Sequence, residues 1–229
     1  MKVALCFSGF PRYLERTVSF WKNSILDPYC ADVFVHCWQT QNYQINWKTQ
    51  QIIQRAYNPI ILTMDSMPDF NVSGYTERIW PHRTSPQSVI SQFTSVQRSQ
   101  HLRRQWEIQQ GFKYDVCIRA RFDWFLASVD LEINDAINLA YTPTLAGHKF
   151  HFHGMGWDLV GVNDQFAYGN SDNMTLYGDL VDNIPFLYNY HKIDFCSELF
   201  VRAHLAYHNL PIKEHTWHNG IVRETHIMP

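Results

Sequence analysis

The chain has 229 residues and a mass of 27.1 kDa, with 19 Lys+Arg against 21 Asp+Glu and a formal net charge of −2. Charged residues make up only 17% of it and aromatics 15%, which disfavours disorder and leaves no global basic field for duplex nucleic acid. The length suits one large domain or two small ones, and no run approaches the ~18 apolar residues of a membrane span.

Residues 3–7 (Val-Ala-Leu-Cys-Phe) are a short, wholly apolar run, the pattern of a strand buried on both faces. A signal peptide needs an apolar core of roughly 7–15 residues, so none is expected. Ser8-Gly9-Phe10-Pro11 breaks the run. Leu14, Val18, Trp21 and Ile25 then recur at helical spacing, and Asp27-Pro28 is expected to end that helix. Residues 32–38 read as a second strand and 59–64 as a third. This order predicts an α/β domain with a mostly parallel sheet. Residues 65–85, with Pro68, Gly74 and Pro81, read as a long loop. Ser85-Pro86 has the form of an N-cap followed by Pro at the first helical position. Ile90, Phe93, Val96, Ser99, Leu102 and Trp106 continue this helix, and Gly111 closes it. Residues 114–121 are a strong strand. Beyond Asp123 the pattern weakens. Strands are expected at 150–152 and 161–168, and a helix carries Met174, Tyr177, Val181 and Ile184. Another carries Phe195, Leu199, Arg202 and Ala206 and stops at Asn209 and Pro211. No repeat or linker divides the chain. The five cysteines, Cys6, Cys30, Cys37, Cys117 and Cys196, are odd in number and scattered. Reduced thiols of a cytoplasmic protein, mostly buried, are the expectation.

Several constellations carry chemistry. Ser8-Gly9-Phe10-Pro11-Arg12 joins the first strand to the first helix. Ligands of open parallel sheets sit at the carboxyl ends of strands. A glycine there lets backbone approach a ligand, a helix N-terminus favours anions, and Arg12 adds a cation. Neither a Gly-x-Gly-x-x-Gly fingerprint nor a P-loop is present, so an ordinary turn is the alternative. In Arg119-Ala120-Arg121-Phe122-Asp123, strand alternation places Arg119, Arg121 and Asp123 on one side. Charges on a central strand are costly unless paired or used. A carboxylate beside arginines suits Mg²⁺ or Mn²⁺ bridged to a diphosphate whose charge the arginines neutralise. A structural Arg–Asp pair is the alternative. Asp164, in Asn163-Asp164-Gln165, is a candidate base or sugar-hydroxyl ligand, or part of a turn. Glu198, one turn before Arg202, reads as an i,i+4 ion pair or as a carboxylate facing an acceptor. Asp158 is a reserve. His148, His151 and His153 crowd one segment and His215, His218 and His226 another, without a zinc spacing. His218 remains a candidate for a metal or phosphate site.

Taken in order, segments 3–12, 32–38, 114–123 and 163–166 resemble the small GT-A-type glycosyltransferases of the nucleotide-diphospho-sugar transferase superfamily, of the kind found in viruses and bacterial surface-glycan loci. The resemblance covers roughly residues 1–205. It implies a single GT-A domain over residues 1–229, a Rossmann-like α/β/α sandwich with a mostly parallel sheet. Residues 1–125 would be the nucleotide-binding half and 126–229 the acceptor-side half. It implies that Phe7, Ser8, Gly9 and Arg12 cradle the nucleotide, with Arg119 and Arg121 at the diphosphate. Asp123 would bind a divalent metal (Mn²⁺ or Mg²⁺) at the family's Asp-x-Asp position, although residue 121 is Arg here. Asp164 would be the acceptor-side catalytic carboxylate, with Glu198 in reserve. The implied reaction moves a sugar from a nucleotide-sugar donor to a hydroxyl of a glycan or glycoprotein acceptor. The expected place is the cytoplasm, the host's if the chain is viral, with no nucleic acid and no membrane span. A nucleotidyltransferase of similar topology and a catalytically inactive glycan-binding module are the alternatives.

Overall fold

The structure, a computed structural model, describes residues 1–75, 85–126, 131, 140–143, 149–151, 158–215 and 219–221. Val3–Gly9 (β1) lies inside the sheet, parallel to Asp32–Trp38 (β2) on one side and to Val116–Ala120 (β4) on the other. Ile61–Asp65 (β3) extends the sheet beyond β2 in the same direction. Trp124–Leu126 (β5) leaves the sheet and pairs with Asn219–Ile221 (β11). Ala140–Pro143 (β6) and Phe166–Gly169 (β9) pair antiparallel, and β9 also pairs antiparallel with β4. Ile212–His215 (β10) joins β6 in parallel. Lys149–His151 (β7) and Asp158–Val160 (β8) form a separate ribbon. The sheet order is β3-β2-β1-β4-β9-β6-β10, and β9 alone opposes the common direction. This is a mixed α/β fold with a mostly parallel central sheet.

Alternation along β1 explains the layers. Val3, Leu5 and Phe7 point to one face, where Leu14–Trp21 (α1) and Tyr43–Tyr57 (α2) pack through Leu14, Trp21, Ile53 and Tyr57. Ala4 and Cys6 point to the other, against Pro86–Gln110 (α3), Ser171–Gly178 (α4), Leu180–Asn189 (α5) and Ser197–Tyr207 (α6). Both faces are covered, so β1, β2 and β4 must be apolar along most of their length. Cys6, Cys37 and Cys117 are buried free thiols within these strands. No helix among the described residues is long and apolar enough to cross a membrane.

The structure departs from the expectations at four places. The first helix does not stop at Asp27-Pro28; a π-helical turn, Lys22–Leu26, carries it into Asp27–Tyr29, and it ends at Cys30 in the left-handed region (φ 47°). Pro28 is tolerated because it falls at the start of this last turn, where its missing N–H is not needed. Helix α2 between β2 and β3 was not expected. Its apolar stripe is thin, since Ile45 and Trp47 are exposed and only Ile53 and Tyr57 are buried; the signal lies in Asn42, whose side chain accepts from the N–H groups of Gln44 and Ile45 as an N-cap. The helix through Met174 and Ile184 is two helices, α4 and α5, that meet at Asp179. The strand expected over 161–168 forms only at its end, as β9. By contrast, α3 begins on Ser85, whose side chain accepts from Ser88 N, and ends on Gly111 (φ 71°).

Helix α3 is anchored by a buried polar cluster. Arg103 pairs with Glu107 at 2.8 Å and donates to Ser171 Oγ at 2.6 Å and Thr175 Oγ1 at 2.7 Å. Glu107 in turn accepts from Tyr114 N and Ser171 Oγ. Arg103, Glu107, Ser171 and Thr175 are thus tied together, and Gln100 accepts from Arg103 Nε at 3.0 Å, so the cluster fixes α3 against α4 and the start of the strand after it. Truncation of one partner of a buried pair costs about 3–5 kcal/mol, so Glu107→Ala should lose stability of that order in urea unfolding.

Candidate functional site

The chain runs outward from β1 to β2 and β3, then returns to β4 on the other side of β1. The crevice at the carboxyl ends of β1 and β4 is therefore a topological switch point, where open α/β sheets bind ligands. A cavity of about 220 Å³ lies there. It is lined by Ser8, Gly9, Phe10 and Arg12 from the β1 end and by Arg119, Arg121 and Asp123 from the β4 end. Trp38 from β2 and Ser88, Ser91 and Gln92 from the first turns of α3 complete it. Six residues singled out from sequence, Ser8, Gly9, Arg12, Arg119, Arg121 and Asp123, thus meet in one place.

Arg119 is the unusual member. It lies within the β4 ladder opposite Cys6, on the face under α3, and is 0% exposed. Its Nε, Nη1 and Nη2 have no hydrogen-bond partner among the described residues. Burial lowers its pKa, offset only in part by Tyr177 and the Asp164 charge. Ser8 Oγ, on the same face of the sheet, is also buried without a partner. Buried polar groups are nearly always satisfied. Two that open together into one cavity mark a place for a polar, anionic ligand.

Arg121 and Asp123 lie beyond the end of β4. Arg121 donates from Nε to Asp123 Oδ1 at 2.8 Å and from Nη2 to Oδ2 at 2.7 Å, a side-on bidentate pair. Burial works against the Arg121 charge, but the hydrogen bonds and charge of Asp123, with Asp164 behind them, raise its pKa. The structural Arg–Asp pair left open from sequence is thus present, in the wall of the cavity. It also decides how a metal would fit. Both Asp123 oxygens are taken by Arg121, and no group of three or more His, Cys, Asp or Glu side chains able to hold a metal ion occurs among the described residues. As they stand, these residues do not fit a divalent cation.

A second network holds the floor. Gly9 has φ +98°, a conformation suited to glycine, and its N–H donates to Ser95 Oγ at 2.7 Å. Ser95 Oγ lies 2.7 Å from His36 Nδ1, and His36 Nε2 lies 3.2 Å from Asp65 Oδ2. Ser95 Oγ donates to the His36 carbonyl at 3.2 Å, and Arg98 Nη1 lies 3.4 Å from His36 Nε2 and pairs with Asp65, so hydroxyl, imidazole, guanidinium and carboxylate form one network. The Ser-His-Asp order resembles a catalytic triad, but Ser95 is fully buried and already takes the Gly9 N–H. The network therefore positions the β1–α1 loop. Gly9 keeps its place in the cavity wall but does not offer its N–H to a ligand.

Three candidates fall elsewhere. Phe7 does not line the cavity: alternation turns its ring to the opposite face, stacked on Phe122 at 4.8 Å and edge-on to Trp21 at 5.1 Å. Asp164 stands just behind the wall, 5% exposed, and accepts from Gln92 Nε2 at 2.5 Å. Glu198 is not among the lining residues; it accepts the Cys196 thiol at 3.0 Å, while its backbone carbonyl accepts Val162 N and so steadies the segment before Asp164. His148, His153, His218 and His226 lie outside the described residues. Sequence reasoning missed Trp38, Ser88, Ser91 and Gln92. Trp38 ends a strand whose carboxyl end was already the expected ligand side, and Ser88, Ser91 and Gln92 share one face of α3 at i, i+3 and i+4.

Fold and site together define the class: a mixed α/β domain with an arginine-lined cavity at the switch point of its sheet. The chain belongs to the family described as a domain of unknown function (DUF7796), which matches residues 1–228. No curated protein matches it.

Burial lowers the pKa of His36 from 6.5 to about 4, although Asp65 opposes this. His204 is lowered to about 4 in the same way. Each is neutral when folded, so the unfolded chain takes up its proton first. Their contribution to stability is full above pH 6.5 and is lost as pH falls from 6.5 towards 4. Urea unfolding of His36→Gln should show a smaller loss of stability than wild type between pH 6.5 and 5, the difference being at most about 1.36 kcal/mol per pH unit.

Proposed function

We propose that the protein is a GT-A-type glycosyltransferase, with a Rossmann-like sandwich, that moves a sugar from a nucleotide-diphosphate donor to a glycan or glycoprotein hydroxyl in the cytoplasm. One observation carries this reading: the fully buried Arg119 guanidinium, without a hydrogen-bond partner among the described residues, in the wall of the switch-point cavity. A buried charge without a counter-ion costs several kcal/mol. Such a cost is retained where an anion of the substrate supplies the missing partner. A diphosphate, with several acceptor oxygens and charge on both phosphates, matches the separate donors of Arg119, Arg121 and Ser8. Trp38, packed against His36 at 4.7 Å and under the Arg98 guanidinium at 5.1 Å, closes the wall beside them and donates from Nε1 to the Ser91 carbonyl.

The chemistry follows from charge. When the glycosidic bond to the donor breaks, negative charge grows on the leaving diphosphate. Arg119 and Arg121 are preorganised to stabilise it in a site of low dielectric. Gln92 bridges the diphosphate wall to Asp164 behind it; in an inverting transfer Asp164 is the carboxylate assigned to take the acceptor proton, which requires the Gln92 side chain to move aside. Glu198, engaged with Cys196, supports the Asp164 segment. No step is routed through a metal.

Thermal-shift screening of UDP-, GDP-, dTDP- and CMP-sugars tests the donor class. A ligand at about 100 times its Kd stabilises by about 2.7 kcal/mol. Arg119→Met should lose this response while gaining about 1–4 kcal/mol in the ligand-free protein, since an uncompensated charge leaves the core. Consumption of a sugar phosphate and a nucleoside triphosphate, with no response to nucleotide sugars, would replace this reading with a nucleotidyltransferase. Asp164→Asn should lower kcat by about 10²–10⁴-fold with donor affinity unchanged; turnover within a few-fold of wild type would remove Asp164 as the base.

A further inference from the structure

Resting on the diphosphate reading, we propose that the cavity takes its diphosphate without a divalent cation: Arg119 and Arg121 supply the counter-charge, and Asp123 is the positioning residue that holds Arg121.

Three observations carry this. The first is the Asp123 carboxylate. Its two oxygens receive Nε–H and Nη2–H of Arg121 at 2.8 and 2.7 Å, and it is 3% exposed. A hard cation such as Mg²⁺ binds through one or two carboxylates and the phosphate oxygens. Here it would first have to displace a bidentate guanidinium from Asp123, the one carboxylate among the described lining residues. Asp164, whose charge also acts on Arg119 and Arg121, is already held by Gln92.

The second is the charge of the wall. Among the described lining residues, Arg12, Arg119 and Arg121 outnumber one carboxylate, Asp123, and with Asp164 behind the wall counted the site stays net positive. A nucleotide-sugar diphosphate carries one negative charge on each phosphate, so the arginines can supply its counter-charge. A divalent cation would add charge to a wall that is already positive.

The third is preorganisation. The pair with Asp123 uses Nε and Nη2 of Arg121 and leaves Nη1 for the ligand. A side chain already held in place loses less freedom on binding. Phe122, between the two, is itself locked: its ring stacks on Phe7 at 4.8 Å and its carbonyl accepts from Thr17 Oγ1 at 2.7 Å. Arg121 is therefore held at both its head group and its backbone.

The test is calorimetric titration of the whole chain with UDP, GDP, dTDP and inorganic pyrophosphate, each in excess EDTA and again in excess Mn²⁺. For the diphosphate that binds, Kd in EDTA is expected within about threefold of Kd in Mn²⁺. A charge-assisted hydrogen bond corresponds to about 10–100-fold in affinity, so Arg121→Met should weaken binding in EDTA by at least tenfold. Asp123→Asn keeps one acceptor for Arg121, so it should weaken binding less than Arg121→Met and leave the EDTA-to-Mn²⁺ ratio unchanged. A merely structural Asp123 would not move affinity in a variant that circular dichroism shows to be folded. Binding that appears only with Mn²⁺ and vanishes in Asp123→Asn would overturn the proposal and return Asp123 to the role of metal ligand, with the diphosphate reading intact. No binding of any of the four under either condition would overturn the diphosphate reading itself.

Discussion

The constraint on which this molecule depends is the burial of β1 and β4 on both faces and both edges. Each is hydrogen-bonded to a strand on either side, and helices cover the sheet above and below. Such strands tolerate few polar side chains along their length. Polar chemistry is pushed to their carboxyl ends, where the ladder stops and the loops begin. Arg119 breaks this rule by one residue pair: it still sits inside the ladder, opposite Cys6, with Ala120 and Phe7 paired after it. That displacement buries its charge and gives the cavity its polarity.

The low charge and high aromatic content that open the sequence have a structural reason. A continuous aromatic slab underlies the cavity on the α1 side. Phe7 stacks on Phe122, Trp21 packs on Phe7 and Trp124, and Trp124 stacks on Phe166 at 4.5 Å. These rings connect β1, α1, the turn after β4 and β9. They place the Arg121–Asp123 turn on a rigid support, so aromatic residues serve the site from beneath. Phe10 and Trp38 are the aromatics that line the cavity among the described residues.

Much of this was legible in the sequence, for identifiable reasons. The wholly apolar run at 3–7 and the largely apolar segment 32–38 marked doubly covered strands, and Ser85-Pro86 with Gly111 marked both ends of α3. The two arginines and Asp123 on one short segment drew attention because charges do not belong in a buried strand. What was not legible depended on contacts distant in sequence. Helix α2 was hidden by its shallow packing. The engagement of Gly9 by Ser95 joins residues 86 positions apart, and nothing local to either announces it. The resemblance implies Phe7 at the nucleotide together with Ser8, whereas the pleat sends these neighbouring side chains to opposite faces. The carboxylate of Asp123 suggested a cation, and only the geometry of Arg121 revealed that its oxygens were already occupied.

Helix α3 has a consequence for how a ligand enters. Its first turns form one wall of the cavity through Ser88, Ser91 and Gln92, its middle holds the floor through Ser95, and its last turns carry Arg103 and Glu107. At 25 residues it is about 37 Å long, and a swing of this wall would strain the buried ion pair in its last turns. The opposite wall rests on the aromatic slab. Both described walls are braced against the core, so the cavity should keep its shape on binding. Its selectivity comes from rejecting what does not fit on arrival, and occupancy should leave the backbone around it almost unmoved.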